Sequence, residues 1–302
     1  MELVGRLLGL LALLLAGTAL RAVGVLDETR SERLNAFAYY VALPALIFVS
    51  TYDQSVASLV TPALFAGHSF VLLATAGVAW AVHRGRGERA ERSVAIVQSY
   101  HSNVGYLGFP LIAATFDARV TAVAGVVLGV VSLVQVPLTI AVFVSVNEAD
   151  VPLRREATQL VANPVLLSLL AGLLVGAGDV GVPAGVAGGL DAVGSLALPT
   201  ALLCVGASLD VDVPSVDAWS TGTVVALKVV FMPVLAWLVF RGLASDAATV
   251  TASVVMLGTP TAVSTFVFAG ELGGDTEFAS LNVFASTVAS VATLFSLVAL
   301  VG

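Results

Sequence analysis

The chain has 302 residues, of which 58% are hydrophobic and 11% charged, whereas a soluble domain carries about 25% charged residues. Mean hydropathy is +1.01 and the net charge is −7, with Lys228 the only lysine, which argues against nucleic acid as a partner. Cys204 is the only cysteine, which excludes an intrachain disulfide and leaves it as a small buried hydrophobe.

Apolar runs recur at the roughly 20-residue length that crosses a bilayer. Ten spans are predicted, at about 4–24, 35–51, 61–82, 93–115, 121–146, 160–178, 190–209, 218–240, 247–270 and 278–301. Arg6 before an apolar core gives the first span the look of a signal peptide. The later spans and the lack of a convincing cleavage site make it a membrane helix instead. Arg21, Arg30, Arg33, Arg84, Arg86, Arg89, Arg92, Arg154 and Arg155 follow odd-numbered spans; Arg6, Arg119 and Arg241 lie on the other side. Basic loops stay inside, so the expectation is a multi-pass protein of the cell membrane with both termini extracytoplasmic.

The spans divide into two sets of five, residues 1–150 and 151–302, and an odd number per set inserts the second upside down. Ala42-Leu43-Pro44 in span 2 matches Ala197-Leu198-Pro199 in span 7. From Pro44 to Pro110 is 66 residues, and from Pro199 to Pro260 is 61. Matching prolines at matching separations point to an inverted repeat. The glycine-rich link from Gly178 to Gly189 is read as a flexible turn outside the membrane.

Span 4 is interrupted at Gln98-Ser-Tyr-His-Ser-Asn-Val-Gly-Tyr-Leu-Gly-Phe-Pro110, and span 9 at Met256-Leu-Gly-Thr-Pro-Thr-Ala-Val-Ser-Thr265. Pro110 has no N–H for the carbonyl of Tyr106, and Pro260 has none for that of Met256. Backbone opened at bilayer depth is tolerated only where protein or a water-filled cavity covers it. A broken helix in each half is the mark of a transporter's binding site. The freed N–H groups are expected to attract anions and the freed carbonyls cations.

Ser102-Asn103-Val-Gly105-Tyr-Leu-Gly108-Phe-Pro110 resembles the fourth-span motif of the auxin efflux carrier family, which includes bacterial malate and malonate permeases. Tyr40-Val-Ala-Leu-Pro44, Asn163-Pro164, Leu227-Lys228 with Pro233, and Ser286-Thr287 extend the resemblance over the whole chain. It implies an all-α polytopic membrane protein of ten helices in two inverted five-helix repeats, with helices 4 and 9 broken and crossing beside the substrate. Helices 1, 2, 6 and 7 would form a scaffold against which helices 3–5 and 8–10 move. Span 9 reads Thr259-Pro260-Thr261, without the asparagine that some plant members place before the proline, and the large cytoplasmic loop of long plant carriers is absent.

Several residues carry the expected chemistry. Asn103 offers donors and an acceptor to a carboxylate or an ion, or else an interhelical hydrogen bond. Gln98, Ser99, Tyr100 and His101 share its segment, where Gly105 and Gly108 are read as allowing close helix crossing beside Pro110. Thr259, Thr261, Ser264 and Thr265 bring hydroxyls around Pro260, unless they bond their own backbone. Lys228, within span 8, needs an anion, helix-end carbonyls or neutralisation, or else snorkels to an interface. His68 in span 3 occupies the corresponding place in the first half, and it and His101 are candidates for proton coupling or satisfied buried histidines. Asn163 before Pro164 reads as a helix cap. Arg84, Arg86, Arg89 and Arg92 read as an orientation signal.

No Walker A sequence, metal-spaced Cys/His set or nucleophile elbow is present, so no cofactor, metal or enzymatic activity is expected. Gly273-Gly274-Asp275 resembles an intramembrane aspartyl protease motif but lies at a loop without a second buried Asp. The expected function is secondary transport of a small organic anion, a carboxylate, by alternating access. A proton or sodium would be the coupling ion, and a homodimer the candidate assembly. The alternatives are a bile-acid-carrier-like sodium symporter and, further off, a channel or an intramembrane hydrolase.

Overall fold

In hydrocarbon no water is available to a backbone N–H or C=O, so an apolar chain satisfies these groups within helices. The computed structural model follows that rule; it describes residues 2–55, 59–149, 158, 160–207 and 218–301. Among them all regular structure is helical, apart from one isolated antiparallel bridge between Ser102 and Thr261. The expected boundary between halves at 150–151, the end of predicted span 7, and Arg154 and Arg155 lie outside the described residues.

In chain order the helices are α1 (Glu2–Ala22), α2 (Glu28–Phe37), α3 (Leu43–Thr51), α4 (Pro62–His83), α5 (Arg89–Gln98), α6 (Phe109–Thr115) and α7 (Ala118–Asn147). They continue with α8 (Pro164–Ala177), α9 (Ala184–Gly194), α10 (Ala197–Ala207), α11 (Ala218–Ala226), α12 (Met232–Gly242), α13 (Ala247–Leu257), α14 (Ser264–Glu271) and α15 (Thr276–Val301). Among the described residues six helical stretches are long and apolar enough to cross a membrane: Glu28–Thr51, Pro62–His83, Ala118–Asn147, Ala184–Ala207, Ala218–Gly242 and Thr276–Val301. The chain is thus a multi-pass membrane protein.

Among the described residues three wide π-helical turns, Ala38–Ala42, Val104–Gly108 and Leu227–Phe231, each run directly into an X-Pro pair that ends in Pro44, Pro110 or Pro233. The cause is the proline ring, which clashes with the carbonyl four residues back and leaves it without a donor. One extra residue in the turn moves that carbonyl aside. Leu43 N–H then bonds Ala38 O, and Met232 N–H bonds Leu227 O, each reaching back five residues.

The glycine-rich link departs from expectation. Ala184–Gly194 is helical, beginning just after Pro183, so the segment read as a flexible turn supplies the first half of the seventh span. Glycine's helix penalty of about 1 kcal/mol per residue is outweighed where lipid offers the backbone no other partner. Asn163 does cap α8, its Oδ1 accepting from Val165 N–H at 2.9 Å and Leu166 N–H at 3.3 Å.

The chain forms two compact units. The first comprises Met1–Pro62, Gly105–Gly129 and Ala157–Ser208, and the second Ala63–Val104, Val130–Glu156 and Leu209–Gly302. In the first, α1 meets α10 backbone to backbone. A Cβ on Gly17 would collide with the carbonyl of Leu203, and one on Gly206 with that of Leu14. Thr18 Oγ1 donates to Gly206 O at 2.8 Å across the same contact. Close approach between small residues replaces the hydrophobic effect, which lipid cancels. In the second unit α5 packs on α15 and α14, α12 packs on α13, and Phe240 of α12 lies fully buried against Gly67 of α4.

Candidate functional site

The second unit contains both helix interruptions that matter here. α5 stops at Gln98 and α13 at Leu257, and the extended residues beyond each face one another. Asn103 N–H donates to Pro260 O at 3.0 Å, and Ala262 N–H donates to His101 O at 3.0 Å. These two bonds flank Ser102 and Thr261 as an antiparallel pair of the non-hydrogen-bonded kind, whose side chains lie close together. Pro260 contributes only its carbonyl, which is all a proline can offer to such a ladder.

In such a pair the two residues' own N–H and C=O groups point away from each other and need other partners. Gln135 of α7 supplies both for Ser102. Its Oε1 accepts from Ser102 N–H at 3.0 Å and its Nε2 donates to Ser102 O at 3.2 Å. Thr261 N–H donates to Ser286 Oγ of α15 at 3.2 Å. Thr261 Oγ1 donates to His101 O at 3.2 Å. Thr139 of α7 holds the start of the segment, 3.1 Å from Tyr100 Oη and 2.8 Å from His101 Nδ1. Gln98 Nε2 donates to Thr265 Oγ1 and to Ala279 O, each at 2.9 Å.

Several of the freed peptide groups expected to attract ions bond one another and nearby side chains instead: Asn103 N–H, Ala262 N–H, Thr261 N–H, His101 O, Pro260 O and both groups of Ser102. The carbonyl of Met256, expected to be open, accepts the Thr259 hydroxyl at 2.8 Å. Ser264 is exposed at the start of α14 and takes no part in the cluster, whereas its neighbour Thr265 is fully buried within it. A Cβ on Gly105 would meet no atom within 4 Å, so that glycine is not required for a close crossing. The helices meet at Ser102 and Thr261, ahead of Pro110, which sits in the first turn of α6.

Lys228 is 0% exposed, which rules out snorkelling. Its Nζ donates to Leu257 O at 2.7 Å, the last carbonyl of α13, where the helix dipole is negative. Met232 Sδ lies 3.5 Å from that ammonium and 3.8 Å from Ser102 Oγ, so the cation stands beside the crossing. No carboxylate pairs with it among the described residues. His68 is elsewhere. Its Nδ1 lies 2.7 Å from Leu64 O of its own helix, and its ring packs on Phe240 at 4.6 Å.

Some polar groups here remain unspent. Asn103 is 4% exposed, and its side-chain amide makes no hydrogen bond among the described residues. Gln98 Oε1 and both polar atoms of Asn282 are buried without a partner among the described residues. Asn282 lies one turn along α15 from Ala279, the residue that Gln98 bonds. Sequence reasoning missed Gln135, Thr139 and Asn282; the available signal was a polar side chain in the middle of an otherwise apolar span. No group of His, Cys, Asp and Glu that would hold a metal occurs among the described residues.

A family model described as membrane transport protein matches residues 4–153 and again 153–298. An "Uncharacterized transporter" of Methanothermobacter thermautotrophicus is 27% identical over 95% of this chain and 94% of its own length. A "Putative malonate transporter" of Rhizobium meliloti is 26% identical over 89% of this chain and 86% of its own length. These matches agree with the resemblance carried by the Ser102–Pro110 motif, and the chain belongs to this membrane transport family.

Proposed function

We propose that the protein is a secondary carrier of a small organic anion, a carboxylate, which binds at the crossing of the two broken helices. The observation that carries this is Lys228, a buried cation held beside the crossing by a carbonyl and a thioether, with no carboxylate to balance it among the described residues. A cation at bilayer depth is costly unless an anion or helix end compensates it. The helix end at Leu257 compensates it in part, and an arriving carboxylate completes that compensation; the side-chain donors of Asn103, the residue after Ser102, are free for the ligand as well. Tyr100, Thr259, Pro260 and Thr261 hold the shape of the site rather than its ligand, because their polar atoms are engaged in the bonds described above. The relative described as a putative malonate transporter supports a dicarboxylate of that size.

Ten helices in two inverted repeats, with both termini outside, complete the proposed architecture. The two-part family match and one broken helix in each half support it. The first compact unit contains the predicted helices 1, 2, 6 and 7, which supports their role as a scaffold for alternating access. Gly105–Gly129 groups with that unit as well. We take sodium rather than a proton as the coupling ion, because Gln98 Oε1 and Asn282 Oδ1 are buried without a partner among the described residues and hard cations take oxygen ligands.

The test is uptake of radiolabelled malonate, malate and indole-acetate into proteoliposomes, with and without imposed pH or sodium gradients. Saturable uptake of at least one carboxylate, driven by the sodium gradient, is expected. Absence of transport for every carboxylate would overturn the substrate class, and drive by protons alone would overturn the ion assignment.

A further inference from the structure

Away from the crossing, the second unit holds a cavity of about 440 Å³ where the end of α4, the start of α5 and the end of α7 meet. Its lining includes Trp80, Arg84, Arg89, Arg92 and Glu148. Three guanidiniums against one carboxylate is a local excess of positive charge in a chain whose net charge is −7. Arg89 is committed to Glu148 at 2.6 Å. Arg84 lies over the Trp80 ring at 5.2 Å, and Arg92 donates to Arg84 O at 3.5 Å. Neither has a carboxylate partner among the described residues.

The helix leading to this cavity carries a matching apolar track. Phe70, Leu73, Gly77 and Trp80 recur at alternating steps of three and four, which places them on one face of α4, and Arg84 continues the spacing one residue past its end. Phe70 is 56% exposed, Leu73 54% and Trp80 51%. Between Leu73 and Trp80, a Cβ on Gly77 would meet no atom within 4 Å, so the track has a notch one side chain deep. A cationic pocket at the end of an apolar, notched track has the two-part chemistry of a lipid: a phosphodiester at one end and a hydrocarbon chain at the other. Basic pockets at helix ends are a recurrent form of headgroup site.

We infer that this cavity and track form a binding site for an anionic phospholipid, with the phosphate held by Arg84 and Arg92 and one acyl chain lying along Phe70, Leu73 and the notch at Gly77. The Glu148 carboxylate keeps Arg89 oriented and competes with the phosphate. The sequence marks this loop as an orientation signal and as the one basic segment suited to anionic lipid; the cavity and track give that second role a site, which does not depend on the transported substrate.

Native mass spectrometry of the delipidated full chain, titrated with phosphatidylglycerol or phosphatidylcholine, tests the inference, with calorimetry of inorganic phosphate as the soluble control. Phosphatidylglycerol is expected to bind about tenfold more tightly than phosphatidylcholine, and the R84Q/R92Q pair to remove that preference. Gly77→Phe, which fills the notch, weakens phosphatidylglycerol and leaves inorganic phosphate binding unchanged, while Glu148→Gln strengthens phosphatidylglycerol. Equal binding of the two lipids, or a preference that survives R84Q/R92Q, would overturn the site. Phosphatidylglycerol binding indifferent to Gly77→Phe would reduce it to a free-anion pocket, and a lipid-free dimer covering the track would assign the face to a second copy. If R84Q/R92Q does not fold, Gly77→Phe and Glu148→Gln still decide, since their opposite effects are required.

Discussion

Replacing Gln135 by Leu tests how the crossing is held together. Leu has nearly the same bulk and suits an apolar helix, but it removes the acceptor for Ser102 N–H and the donor to Ser102 O. Both groups belong to a residue only 1% exposed, so water does not replace the lost partner. A buried polar group left unpaired costs about 1–3 kcal/mol, so two cost about 2–6 kcal/mol. That is a large part of the roughly 5–15 kcal/mol that holds a typical domain. Ser286→Ala is the matched control: it strips one acceptor, from Thr261 N–H, and is expected to cost about half as much. The assay is thermal unfolding of the detergent-solubilised protein followed by tryptophan fluorescence, with uptake measured in parallel. A Gln135→Leu variant that melts with the wild type would refute the pairing scheme, as would a Ser286→Ala effect larger than that of Gln135→Leu.

Other expectations follow from the same geometry. Ser102→Cys with Thr261→Cys, in a Cys204→Ser background, should crosslink under mild oxidation, because a non-hydrogen-bonded pair has Cα atoms about 4.5 Å apart, within disulfide range; no crosslink would mean that the broken segments do not face each other. Lys228→Met should leave Leu257 O unpaired, destabilising the protein by about 1–3 kcal/mol, and cut carboxylate uptake at least tenfold, whereas unchanged uptake would remove the cation from the site. Asn163→Ala should lower stability by about 1 kcal/mol through loss of the α8 cap, with no change in the substrate concentration giving half-maximal uptake.

The breaks in α5 and α13 were legible because proline, glycine and clustered polar residues have no other use in a lipid-facing helix. What the breaks do was less legible. The bond from Thr261 to His101 spans 160 positions of sequence, and nothing local encodes which freed groups will pair. The same gap explains why Gln135 and Thr139 were missed: each is one polar residue in a long apolar helix, given meaning only by the segment opposite. Local capture also misled the reading of Met256, whose carbonyl is satisfied by a hydroxyl three residues on rather than by a ligand. At Gly178–Gly189 the glycine content pointed to a turn, whereas the membrane environment makes residues from Ala184 onward helical.

The central claim is that a carboxylate is recognised at the crossing by a side chain the fold itself does not use. Asn103→Ala tests it most directly, because the backbone bond of residue 103 to Pro260 survives the change while the free amide is lost. The account predicts a protein that melts as the wild type does but takes up malonate at least tenfold more slowly. Wild-type uptake by Asn103→Ala would contradict it.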